Sequence, residues 1–276
     1  RNFLLHNQVF LVIGHQQIGE IRVGDVVEVL KPISDRGSTY QVKRCRQILQ
    51  QIFNYARALE LCESNPAEAI RHVPALPTYQ GRHYNALDFL EMGPFRRALR
   101  DPTNRKITQA RPALELLVLT AVRPGNVCAA HWENFKLDGK NPTWLIPAVQ
   151  MKKRRDHVVP LSKQAVKLLE NIRSYNWDDD WLFPGTKRHG LSDGTLKKQL
   201  GLLGYIPQQV HPHGFRSTFS TYANESGKWN RDSIEWALAH VETNEVRSAY
   251  NRAQYLEERR QLLQWWADEL DQAELQ

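Results

Sequence analysis

Between Tyr40 and Leu59, apolar residues fall at Val42, Cys45, Ile48, Leu49, Ile52, Phe53 and Ala56. Spacings of three and four place them on one side of a helix, so this stretch predicts a long amphipathic helix with Lys43, Arg44 and Arg46 on its other face. Asn65-Pro66 limits its length, because the residue before a proline is pushed out of the helical region. Shorter apolar patterns at 2–13 and 22–31 extend the helical reading to the first 70 or so residues.

Periodicity lapses from His72 to Ala86, where Pro74, Pro77 and Gly81 stand among polar residues, and an interdomain linker is placed there. The domains are bounded as residues 1–75, a linker at 76–86, and residues 87–276. A helix starting near Arg111, with Pro112 tolerated in its first turn, is expected to run to about Ala121 and to end against Arg123-Pro124-Gly125. TWLIPAV and DHVVPL are short β-rich runs around Lys152-Lys153-Arg154-Arg155, which predicts a small hairpin with a basic tip. Helical patterns resume from Ser162. The last places Ala249, Ala253, Leu256, Leu263, Ala267 and Leu270 on one stripe broken by Arg260. The fold class expected is mainly α with a small antiparallel β-sheet.

A chain of 276 residues is long enough for two cores. Its 37 Lys and Arg against 30 Asp and Glu leave +7, which favours a polyanionic partner such as nucleic acid. No run approaches the roughly 20 apolar residues that span a bilayer, so no membrane partner is expected. Cys45, Cys62 and Cys128 form no C-x-x-C pair, which argues against a zinc knuckle or a disulfide framework and fits a reducing cytosol. The chain begins with Arg1 and is read as a fragment of something longer.

In HPHGFRSTFSTYANESG, His213 and Arg216 stand three apart at the start of a helix that Gly227 can end, so both side chains leave one face. An arginine fork matches phosphate oxygens, and an imidazole beside it can exchange a proton near neutrality. Alone, H-x-x-R recurs by chance, and a solvated helix start is the better explanation of it. In WALAHVETNEVRSAYNRAQYLEERR, His240 ends one helical run and Tyr250 opens the next, ten residues on, across the turn VETNEV. Taken singly, Tyr250 reads as a core aromatic.

The combination reads differently. LTAVRPGNV, the basic hairpin ending in VVPLS, HPHGFR, and LAH followed by SAYNRA resemble, in order and spacing, the signature boxes of the tyrosine recombinase (phage integrase) family. The wording around Tyr250 is similar to that of prophage and pathogenicity-island integrases, and the likeness extends over the helical first module, which resembles the family's core-binding domain.

The resemblance implies a role for each matching position. Arg123 and Arg216 clamp the scissile phosphate, whose pentacoordinate transition state their charge offsets. His213 accepts a proton or hydrogen bond from the attacking phenol, and His240 contacts the phosphate. Tyr250 is the nucleophile, forming a 3′-phosphotyrosine that a second DNA hydroxyl reseals without ATP. Lys152 matches the general acid better than Lys153, whereas Lys153, Arg154 and Arg155 read as a basic tip attracted to DNA. Lys43, Arg44 and Arg46 read as phosphate contacts or as a solvated face. Asn126 departs from the acidic residue that often stands three after the first arginine, which bears on supporting geometry and leaves the reaction type intact.

No metal or cofactor is implied. The partners implied are double-stranded DNA attachment sites, a homotetramer on two such sites, an excisionase and a DNA-bending host factor, all in the bacterial cytosol. The arm-site DNA-binding domain typical of full integrases has no counterpart in these residues. LLQWWADEL reads either as a segment packed on a neighbouring protomer or as one packed in cis. Two rival functions stay open: a type IB topoisomerase, which cuts and reseals without exchanging partners, and a catalytically silent DNA-binding protein.

Overall fold

The computed structural model describes residues 2–70, 76, 79, 84–101, 109–185, 189–240 and 255–276. Internal contacts divide the chain into two units, residues 1–83 and 84–276.

In the first unit a helical stretch runs through α1 (Asn2–Leu4), a π-helical segment (Leu5–Val9) and α2 (Phe10–Ile13), followed by α3 (Val23–Asp35), α4 (Thr39–Ala58) and the short α5 (Pro66–Ala69). Helix α4 is the one its periodicity predicts. Val42, Cys45, Ile48, Leu49, Phe53 and Ala56 are buried, with all but Ala56 meeting Val26, Val29, Leu30 and Ile33 of α3 in one core, while Ile52 is only half-buried. Asn65 does more than stop a helix, since its side chain accepts the Ala67 N–H and caps α5, with Pro66 in the first position where no N–H is needed. Leu76 and Tyr79, placed in the linker by composition, pack on this unit: Leu76 lies against the core and Tyr79 meets Tyr40 at 5.5 Å.

The second unit is built around α7 (Ala110–Thr120), buried on nearly every side as its LELLVL run demands. Helix α6 (Phe89–Arg100) turns Met92, Phe95 and Leu99 into the core, with Phe89 packed against it. A capping box opens it, in which Glu91 accepts the Asp88 N–H at 2.8 Å. After the short α8 (Pro124–Cys128) come β1 (Phe135–Lys136), β2 (Thr143–Ile146) and β3 (His157–Pro160), an antiparallel sheet in the order β1-β2-β3. The predicted hairpin is β2–β3, closed with Ile146 opposite His157, and β1 is an addition too short to show alternation. Helices α9 (Lys163–Ser174), α10 (Asp193–Leu202), α11 (Gly214–Glu225), α12 (Arg231–Ala237) and α13 (Leu256–Leu275) complete the unit.

The final stripe needs correcting. Leu256 is exposed at the start of α13, and the buried positions are Arg259, Leu262, Leu263, Trp266, Ala267 and Leu270. LLQWWADEL packs in cis: Trp266 donates its indole N–H to the Val118 carbonyl at 2.8 Å. An ionic cluster also holds the end of α13. Arg96, 0% exposed, pairs with Glu115 at 3.1 Å and Asp271 at 2.8 Å, and Arg100 pairs with Glu115 and with Glu274 at 2.6 Å. Removing one partner from such a set leaves a buried charge uncompensated, which is what makes it a rigid fastening. Ala249 and Ala253 lie outside the described residues.

Candidate active site

Three segments distant in sequence meet where α7 ends, α11 begins and α12 ends. Helix α7 stops at Ala121, which takes a left-handed conformation (φ 50°) and turns the chain so that Arg123 precedes Pro124 at the head of α8. Helix α12 is followed by Leu238 and by Ala239, also left-handed at φ 50°. Alanine at positive φ costs about 1–2 kcal/mol, and the carbonyl of each of these two strained residues holds an arginine, with the Leu238 carbonyl beside them. Arg216 donates to the Ala121 and Leu238 carbonyls, each at 2.6 Å, and Arg123 donates to the Ala239 carbonyl at 3.1 Å.

His240 completes the group. Its Nε2 lies 3.1 Å from Arg216 Nη2 and its Nδ1 2.8 Å from Glu235 Oε2. Arginine only donates, so Nε2 accepts and the ring proton sits on Nδ1, directed at Glu235. Glu235 thereby orients His240, a role signalled in the sequence only by an acid five residues earlier.

Burial, with Arg123 beside it, pushes the Arg216 guanidinium down to about 9, and burial also lowers Arg123. His213, the residue before α11, is pushed down to about 4 by burial first and then by Arg216, His211, Arg123 and His240. The result is a desolvated cationic pocket in which an imidazole is kept neutral and able to accept a proton, and in which an anion would be strongly attracted.

Two supporting residues escaped the sequence reading. His157, on the inward face of β3 with Val159, is pushed down to about 3 by burial, with Arg259, Arg123 and Arg216 adding to it, against a hydrogen bond with the Ala237 carbonyl. Its signal was alternation in DHVVPL, which turns residue 157 inward with 159. Arg259 on α13 is buried and donates to the Val158 carbonyl. The adjacent Arg260, read as the break in the stripe, is half-buried and pairs with Glu257 at 3.4 Å.

His157 carries a pH prediction. Its folded pKa lies below the ordinary 6.5, so the unfolded chain binds the extra proton first as pH falls. Stability is therefore complete above about pH 6.5 and declines toward pH 3. Between pH 6.5 and 5 this group alone is expected to cost roughly 2 kcal/mol. Chemical denaturation across that range should give a shallower pH slope in His157→Gln than in the wild type, and equal slopes would refute the assignment.

Lys152, Lys153, Arg154 and Arg155 form the exposed tip of the hairpin, with Arg154 at φ 48° in the turn. The tip is anchored from beneath by Met151, which is buried, and by Asn126, whose amide donates to the Gln150 carbonyl at 3.2 Å. That bond accounts for Asn126: a carboxylate there would face a carbonyl with no proton to give. Lys43 and Arg44 are exposed and Arg46 half-buried on α4, with the Lys43 ammonium 5.0 Å from the Tyr79 ring centre. Tyr250 lies outside the described residues. Among the described residues no cluster of His, Cys, Asp and Glu fits a metal ion, and no helix is long and apolar enough to cross a membrane.

The profile of the phage integrase family matches residues 97–257, and that of the phage integrase central domain matches residues 2–73. The chain is 34% identical to an integrase of Enterobacteria phage P4, over 95% of this chain and 62% of the relative. It is 35% identical to the prophage integrase IntZ of Escherichia coli K12, over 97% and 64%. It thus spans less than two thirds of these relatives. Among solved structures it resembles a lambda integrase dimer bound to a COC′ core site (TM-score 0.65, 18% identity, 86% of this chain and 85% of that one). A Tn1549 transposon integrase in complex with circular intermediate DNA gives a TM-score of 0.64 at 14% identity, over 91% and 87%. At these identities the likeness is one of fold.

Proposed function

The chain belongs to the phage integrase family, and from that premise we propose that it is a site-specific recombinase that cuts and rejoins DNA through a 3′-phosphotyrosine. The observation that carries the reading is the convergence of Arg123, Arg216 and His240, each fixed by backbone carbonyls or a carboxylate before any substrate arrives. Donors oriented in advance toward developing charge supply the largest share of stabilisation in such reactions.

In the proposed cycle the Tyr250 phenol attacks the scissile phosphorus, passing its proton toward His213. The bond from phosphorus to the 5′-oxygen breaks, and Lys152 on the hairpin gives that oxygen a proton. The two arginines hold the non-bridging oxygens, and His240 contacts the phosphate beside them. Attack by a 5′-hydroxyl from a second duplex reverses these steps and releases Tyr250. The partners proposed are duplex attachment sites gripped by Lys43, Arg44, Arg46 and the tip Lys153, Arg154 and Arg155, in a tetramer on two sites. A relative in fold, lambda integrase, has been solved as a tetramer bound to a Holliday junction. An excisionase, a DNA-bending host factor and action in the bacterial cytosol belong to the same proposal.

The test is incubation with nicked attachment-site DNA in EDTA, followed by a denaturing gel. A covalent adduct that forms as well in EDTA as in magnesium is expected. DNA binding without an adduct would favour the silent binding protein, and an adduct with resealing but no strand exchange would favour the topoisomerase.

A further inference from the structure

The turn before α11 carries a second histidine that this chemistry does not use. His211 Nδ1 accepts the His213 backbone N–H at 3.1 Å. A nitrogen that accepts cannot carry the proton, so neutral His211 is the Nε2–H tautomer. Tyr84 lies over both rings, stacked on His211 with centroids 4.4 Å apart and planes 26° apart, and tilted against His213 at 4.7 Å. Tyr84 is 53% exposed, so its ring serves the two imidazoles and not the core.

The backbone beside Tyr84 is fastened to the same turn. The Asn85 carbonyl accepts the His211 N–H at 3.0 Å, and its side-chain amide donates to the Pro207 carbonyl at 2.9 Å. The two segments approach so closely that a Cβ on Gly214 would lie 2.1 Å from the Asn85 oxygen, which admits only glycine between His213 and Phe215.

We propose that Tyr84 and His211 are positioning residues for His213, an aromatic clamp that fixes the direction of its imidazole. The role of His213 in proton transfer rests on the recombinase reading, whereas the clamp itself does not. An imidazole turns about two side-chain torsions. The Tyr84 ring set against one face limits both, the hydrogen bond from the His213 N–H to His211 fixes the backbone from which they start, and a misaimed acceptor is costly when reacting atoms must lie within about 3–3.5 Å. The clamp also keeps water from one face of His213. The charged and titratable groups around it are Arg216 from α11, His211 from the preceding turn, Arg123 from the head of α8 and His240 after α12.

Two readouts on the full chain test the clamp: NMR titration of the His213 ring C–H signals, and the single-turnover rate of cleavage of a nicked substrate. Tyr84→Ala is expected to raise the His213 midpoint by about one unit through restored solvation, and to slow cleavage about five- to tenfold through misalignment, with DNA affinity unchanged. Tyr84→Phe should restore both, because the ring alone makes the stack, and His211→Ala should act in the same direction as Tyr84→Ala. A His213 midpoint and cleavage rate unmoved in both alanine variants would overturn the clamp. A shifted titration in a protein that never forms an adduct would support the clamp and refute the recombinase reading, and adduct formation with an unmoved titration would do the reverse.

Discussion

Tyr250→Phe is expected to abolish the covalent adduct while leaving DNA affinity within about twofold, because the substitution removes one oxygen and keeps the ring. A free phenol has a pKa near 10, so few tyrosines are ionised at neutral pH. Attack requires the proton to leave within a cationic field, and the guanidinium groups of Arg123 and Arg216 supply one, with His213 kept neutral to accept. The control lies five residues along. Tyr255 is the nearest other phenol in sequence, and its hydroxyl is directed at Asp232 at 3.4 Å. With that hydroxyl engaged by a carboxylate of α12, Tyr255→Phe should form the adduct normally. Denaturing gels of both variants decide the matter: an adduct that survives Tyr250→Phe and vanishes in Tyr255→Phe would transfer the role.

Arg216→Lys is expected to slow cleavage by on the order of 10²–10³. The guanidinium reaches Ala121 with one amino group and Leu238 and His240 with the other, a span that a single ammonium cannot reproduce. Charge is retained, so DNA binding should change little. Arg216→Ala would confound the result, because two carbonyls lose their donor and stability drops by about 1–3 kcal/mol. Single-turnover cleavage and a thermal melt on the lysine variant separate the effects. A rate within threefold of wild type at an unchanged melting temperature would reduce Arg216 to a structural prop.

The candidate site was legible along the chain because it is written in short motifs. H-x-x-R needs only that residues three apart share a helix face, and His213 and Arg216 do stand at the head of α11. The same local logic gave the buried face of α4 and the hairpin that carries Lys152, since periods of 3.6 and 2 report which side of an element meets a core. It failed at Leu256, where spacing put an exposed residue on the buried stripe, and at Arg259, where burial answers to a carbonyl on another element.

The sequence by itself determined the order of the boxes, the elements that bear them and the excess of positive charge. Only the tertiary structure decided which atoms meet. Arg216 finds the Ala121 carbonyl 95 positions away and Arg123 finds Ala239 across 116, pairings that leave no periodic trace. It also decided that two alanines adopt left-handed turns, that His157 stays neutral behind the arginines, and that LLQWWADEL folds back onto its own α7. The physical reason is range: propensity and alternation act over a turn or a strand, whereas desolvation and long-range hydrogen bonds exist only once distant segments have closed around one another.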